Sequence, residues 1–353
     1  MLPIPRVDMQ TMTLYAELFE QLQMMEASRT IADLKGSFAT REVNGENYVY
    51  FLHYLPGGKL HQVYVGKKGS QTDALIQQYE EGKRESQEAR ENLRRLAAQV
   101  QAGTAFLVDK AMSRVIGALA EAAVFRSGAV LIGTHAFRAI GLMLGVRWFP
   151  TTMMTMDVDL AAERTTVAVA LPPVQADIPA VIDSLKMGFF AVPAMNLKYP
   201  STTFAIRKSQ LRLELLTPKT TKSDDPVVIP RFNCAAQPLS FLSYLIEHPI
   251  PAVLLDTDPV LINVPQPVRY AMHKLIVSQV RDISKKAKAE KDLHQAFLLL
   301  TILKEERPDD VPPAWEDLVS RGPKWKKLAE AGLAAMEKRY GSKVIEELVV
   351  LSR

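Results

Sequence analysis

Residues 131–161 read LIGTHAFRAIGLMLGVRWFPTTMMTMDVDLA. A short apolar run, Ala129–Ile132, breaks into Gly133-Thr134, and the stretch closes on two aspartates one residue apart. Alternate residues of a strand share a face, so Asp157 and Asp159 are neighbours roughly 7 Å apart, while Val158 and Leu160 point the other way, into a core. Two carboxylates this close repel, and one has its pKa raised unless something cationic sits between them. A hard divalent cation supplies that compensation through oxygen ligands. At the other end, Gly133 lets the backbone approach a phosphate. The helix opening behind it offers free N–H groups, and Thr134 adds a hydroxyl. The bland account of Gly-Thr is an ordinary helix cap, and of a lone D-x-D an exposed strand.

Working outward, the chain alternates helix and strand from about residue 104. The pattern predicts a helix over Ala111–Phe125, a strand over Ala129–Ile132 and a helix over His135–Leu144 ended by Gly145. DVDLA and TTVAVAL read as strands and DIPAVIDSLKMG as a helix. TTFAIRK and QLRLELLTP read as an antiparallel pair, because only a short turn separates them. In LRLELL, Glu214 interrupts an apolar strand and offers a third carboxylate, with Arg212 on the same face as a neutralising alternative. Three acids on adjacent strands suit two-metal phosphoryl transfer: two hold metals, and the third completes the second metal site or takes the attacking hydroxyl's proton. Pro249–Pro267 reads as loop and short strand, and the chain is helical from Val268 onward. Lys274 and Lys291 lie in that helical part, where a lysine can neutralise a leaving pyrophosphate or simply face solvent.

The first hundred residues have a different texture. Residues 8–34 carry helical apolar spacing. A β-hairpin follows, with Tyr48, Tyr50 and Leu52 before a PGGK turn and Val63 and Val65 after it, and then a charged helix over roughly Thr72–Gln101. Basic and acidic residues alternate along that helix, so no phosphate-binding stripe emerges. Across 353 residues, 48% hydrophobic and 23% charged content with a net charge of +4 fits a soluble globular chain with a sizeable core. The single cysteine, Cys234, excludes an internal disulfide and fits a cytoplasmic setting. There is no uncharged run long enough for a membrane span.

Gly133-Thr134, Asp157-Val158-Asp159 and Glu214, in that order, resemble the nucleotidyltransferase superfamily that includes DNA polymerase β and kanamycin nucleotidyltransferase. GTHAF, LGVRW, TMDVDLA and LELLTP together look like a bacterial branch related to the minimal nucleotidyltransferases of toxin–antitoxin systems and to abortive-infection nucleotidyltransferases. The resemblance implies an α+β fold, a mixed sheet flanked by helices, with an N-terminal helix/β-hairpin/helix module and a C-terminal helical domain. The expected boundaries are 1–103, 104–265 and 266–353. It implies an enzyme that moves an NMP from an NTP to a hydroxyl on an RNA 3′ end, a protein or a small molecule, releasing pyrophosphate. Asp157, Asp159 and Glu214 would be catalytic and hold two Mg²⁺, with Mn²⁺ as the alternative metal. Gly133, Thr134, Lys274 and Lys291 would bind the nucleotide. Nucleic acid, a second copy or an antitoxin-like protein are the candidate partners, and no membrane is expected. The alternative is an inactive binding or regulatory protein of the same fold, touching nucleic acid through its N-terminal module. The gap between Gly-Thr and the first aspartate is longer than in the minimal enzymes, and a glutamate stands where an aspartate is usual.

Overall fold

The computed structural model describes residues 4–29, 33, 36–54, 60–104, 109–148, 156–164, 176–194 and 198–341. The chain opens with α1 (Met9–Ala27), capped by Asp8, whose Oδ1 accepts from the Thr11 amide at 2.9 Å. Strands β1 (Gly36–Val43), β2 (Glu46–Tyr54) and β3 (Leu60–Lys67) form an antiparallel sheet ahead of the long helix α2 (Ser70–Thr104). The predicted hairpin is thus the second half of a three-stranded sheet. Its first turn is Asn44-Gly45, both at positive φ, a turn chemistry that suits a tight hairpin. Tyr79 of α2 ties this sheet down, packing on Phe38 and Phe51 and donating its hydroxyl to the Gly36 carbonyl at 2.8 Å.

Next come α3 (Lys110–Glu121), β4 (Val130–Ile132) and α4 (Gly133–Met143). The helix predicted to reach Phe125 stops four residues earlier, and the following turns place Ala123 and Gly128 at positive φ. After β5 (Asp157–Ala161) lie α5 (Ile178–Ser184), β6 (Phe189–Ala191), β7 (Thr203–Ile206), β8 (Arg212–Pro218), β9 (Val227–Ile229) and β10 (Cys234–Leu239). The TTVAVAL strand expectation, most of the long RWFPTTMMT loop and the PGGK turn lie outside the described residues. The sheet runs β4-β5-β8-β10-β9, with β7 and then β6 added along the start of β8. β5 and β8 are parallel, whereas β7 and β8 are antiparallel as predicted.

A short helix α6 (Leu242–Ile246) leads to β11 (Ile250–Leu254) and β12 (Val260–Val264), a regular hairpin where loop was expected. Helices α7 (Pro267–Val280), α8 (Lys286–Glu306), α9 (Val311–Ser320) and α10 (Pro323–Tyr340) complete the described chain. The result is an α+β fold. One continuous core joins the large sheet's inner face (Val158, Leu160, Leu213, Leu215) to α3, α4 and α7–α10. A second cluster seals Leu18 and Leu22 of α1 and Leu93 and Val100 of α2 against Leu142 of α4 and Val253 of β11. Each fully buried leucine contributes about 1.5–3 kcal/mol, which anchors α1 to the hairpin behind the sheet. No helix among the described residues is long and apolar enough to cross a membrane.

Candidate active site

The outer face of the large sheet collects the acids. Alternation on β5 buries Val158 and Leu160 and leaves Asp157 and Asp159 on the opposite face. Parallel pairing then sets Asp159 beside Glu214 and Asp157 beside Arg212. Burial, followed by the negative charges of Glu214 and Asp157, pushes the Asp159 carboxyl up to about 6, against the opposing pull of Lys274 and Lys288. Repulsion among the three acids therefore acts in the folded protein, as the spacing predicted.

Gly133 meets this cluster from the next strand. Ile132, the last residue of β4, pairs with Asp159, and the chain turns at Gly133 with φ +67°. A Cβ placed there would fall 2.3 Å from Oδ2 of Asp159, so the carboxylate lies against the Gly133 Cα. Only glycine fits, for the backbone angle and for the close approach. Tyr270 of α7 fixes the turn from behind, donating its hydroxyl to the Gly133 carbonyl at 2.8 Å. Thr134 accepts from Nζ of Lys291 at 3.1 Å, which brings α8 to the same turn.

The lysines are held by different means. Lys274 pairs with Asp292, whose other oxygen accepts from Nε of Arg281. Burial pushes the Asp292 carboxyl up, but Lys274 and Arg281 outweigh it and hold it below the usual aspartate range. Burial and the adjacent Lys274 lower the pKa of Lys291, with Asp292 opposing. His135, which follows Gly-Thr, turns inward and is 1% exposed. Burial and the nearby cations Arg138 and Lys291 drive its pKa down to about 3, so the ring is neutral and belongs to the core side of α4.

Gly133, Thr134, Asp157, Asp159, Glu214, Lys274 and Lys291 thus gather at one edge where β4, β5 and β8 meet α7 and α8. Asp224, in a polar turn, pairs with Lys219 away from it. Sequence reasoning missed Lys288, whose charge reaches Asp159 and Lys291. Its spacing, one helical turn before Lys291, was the available signal. It also missed Tyr270, a buried tyrosine whose partner lies 137 positions away. The all-oxygen donor set suits a hard divalent cation, and the carboxylate cradled on Gly133 is aimed at the shared edge. Among the described residues, no three His, Cys, Asp or Glu side chains close on a single ion. Phosphate oxygens from a substrate would have to complete the ligand set.

No curated protein and no solved structure matches the chain. The sequence profile of the family described as Nucleotidyltransferase matches residues 110–320, from the first turn of α3 to the last of α9. That span is more than half of the chain and contains every residue of the edge just described, so the chain belongs to the nucleotidyltransferase family and is an enzyme of that class.

Proposed function

We propose that this enzyme transfers an NMP from an NTP to a hydroxyl acceptor at the β4–β5–β8 edge, with divalent metal, Mg²⁺ or in its place Mn²⁺. Gly133 and Thr134 receive the triphosphate at the start of α4, where free N–H groups and the helix dipole favour an anion. Lys291, Lys288 and Lys274 lie on the same side and neutralise the β and γ phosphates. Asp157 and Asp159 would hold the metal together with phosphate oxygens of the NTP, and Glu214 serves a second metal or accepts the proton. The bound cation supplies charge stabilisation at the phosphate oxygens. The acceptor oxygen attacks the α-phosphorus, and the bond from that phosphorus to the bridging oxygen of the β-phosphate breaks. Pyrophosphate leaves with the electron pair, and the hydroxyl proton passes to Glu214. The observation that carries this reading is the contact between the Asp159 carboxylate and the Gly133 Cα, with Glu214 in register beside it. It joins a phosphate turn and a metal-holding strand in one place.

The test is label transfer from each α-labelled NTP in the presence of Mg²⁺ and a cell extract, beside Asp157→Asn/Asp159→Asn. Transfer that the double variant lacks is expected. Absence of transfer by the wild type, together with no metal-dependent NTP binding in calorimetry, would overturn the reading.

A further inference from the structure

The sheet continues beyond the acids, and its order gives a direction. Across the outer face run Gly133 at the end of β4, Asp157 and Asp159 on β5, Arg212 and Glu214 on β8, then β7 and β6. Register fixes what shares that face. Asp157 pairs with Arg212, Arg212 with Ala205, and Ala205 with Phe190. These four residues form one straight row, and with strands spaced as in any sheet, Phe190 stands about 14 Å from Asp157.

The far end of the row is built unlike a solvated edge. Phe190 is 39% exposed, and the residue beside it in the row is the small, buried Ala205. Arg207, in the turn just past the end of β7, lies over the Phe190 ring at 5.7 Å. Arg212 and Lys208 are exposed, and neither has a carboxylate partner among the described residues, Glu214 included. Lys208 holds the turn between β7 and β8 at positive φ. An aromatic face, an arginine plane on it and two further free cations form a shelf. It lies on the opposite side of Glu214 from the phosphate turn.

We infer that this shelf binds the hydroxyl acceptor and that the acceptor is the 3′ end of a single-stranded polynucleotide. The inference rests on the nucleotidyl-transfer reading above. The triphosphate occupies the β4 side, so the attacking hydroxyl arrives from the side where Glu214 can take its proton. A strand lying along the row meets Arg212 with a phosphate next to its terminal sugar, then stacks a base against Phe190 and the Arg207 guanidinium beside it. Aromatic stacking combined with unpaired cations is the chemistry by which single strands are held without regard to sequence. A small acceptor would not reach the ring from Glu214. A protein acceptor has no need of unpaired arginines in line with the acids.

The test uses the full-length protein and a fluorescent 12-nucleotide strand, as RNA and as DNA, in anisotropy titrations at low salt. The wild type is expected to bind one or both. Phe190→Leu, which keeps apolar bulk and loses the ring, is expected to weaken binding about tenfold by loss of one stacked base. Arg212→Gln is expected to flatten the salt dependence by about one phosphate contact. Both variants should keep the wild-type affinity for NTP, measured by calorimetry, because the shelf lies across Glu214 from the phosphates. Elongation of the strand, or label on its 3′ end, supports the inference. No binding of either strand, or binding that both substitutions leave unmoved, overturns it while intact NTP binding leaves the transfer reading standing. Label found only on protein or on a small molecule also overturns it. Loss of NTP binding by the wild type overturns the transfer reading instead.

Discussion

Helix α7 touches two charge clusters that were built for different ends. On one side, Arg269 bridges Glu247 at 3.2 Å and Asp317 at 2.8 Å, and Arg321 pairs with the same two acids. Both guanidinium groups lie over the Tyr244 ring, at 4.6 and 5.0 Å. Two acids meet two cations there. Burial works against the Asp317 charge, yet Arg321 and Arg269 hold its pKa below the usual value. On the other side, Tyr270 and Lys274 look toward Asp157, Asp159 and Glu214. Lys274 is already engaged by Asp292, Lys291 by Thr134, and Asp159 is shifted upward. On the transfer reading proposed above, the cluster left in repulsion is kept for the metal and triphosphate that arrive from outside. The pKa shift runs down at Asp317 and up at Asp159, and the proposed reading gives the second acid a functional role.

The comparison breaks most sharply at Asp159. Asp159→Asn should lower label transfer by about 100- to 1000-fold, the scale of removing one preorganised electrostatic contact. It should also raise the thermal midpoint of the protein freed of metal by chelator at neutral pH, since it removes repulsion with Glu214. A variant that loses activity and also melts earlier would show that Asp159 is a structural acid after all. The pH dependence sharpens the point. The folded-state value of about 6 exceeds the ordinary 3.8, so folding favours the neutral form of Asp159. That contribution is whole below pH 3.8 and is lost as the pH rises through about 6. Urea unfolding should therefore show Asp159→Asn gaining on the wild type as the pH rises from about 4 through about 6, by up to ~3 kcal/mol, and levelling off above. Divalent-metal affinity of the wild type should rise over the same window, because the ligand must be ionised.

The paired cluster should behave in the opposite way. Arg269→Met leaves Glu247 and Asp317 short of a cation, and should cost about 2 kcal/mol in urea unfolding, a buried-pair loss discounted for the partial exposure of Glu247. NTP affinity should not move. The smallest effect is expected at Tyr270→Phe, which keeps the ring against Phe137 and removes the hydroxyl from the Gly133 carbonyl. A loss of about 1 kcal/mol in stability and a several-fold weaker NTP affinity by calorimetry are the expected outcomes.

The residues that carried most of their information in one place were legible from the sequence. Period-two alternation put Asp157 and Asp159 on one face, and the Gly-Thr break marked the turn from β4 into α4. The third acid, Glu214, interrupted its strand visibly, but its pairing with Asp159 depends on a parallel register between segments more than fifty residues apart. Short-range pattern does not encode such a register. The same holds for Tyr270, which reads as one more apolar position on α7 until the fold brings it under Gly133. β1 was missed because GSFATREV mixes small and charged residues on a sheet that buries only one face. Phe190 and Arg212 gained meaning only when the strand order placed them in a row.

The contact between Gly133 and Asp159 makes the turn at the start of α4 and the acid pair a single mechanical unit. A side chain at position 133 would strain the backbone and push the Asp159 carboxylate aside. It also offers the experimenter a silent lock. Gly133→Ala retains every charge of the edge, so a chain carrying it should still hold a single strand on the β7–β6 shelf while metal binding at Asp159 and transfer are lost.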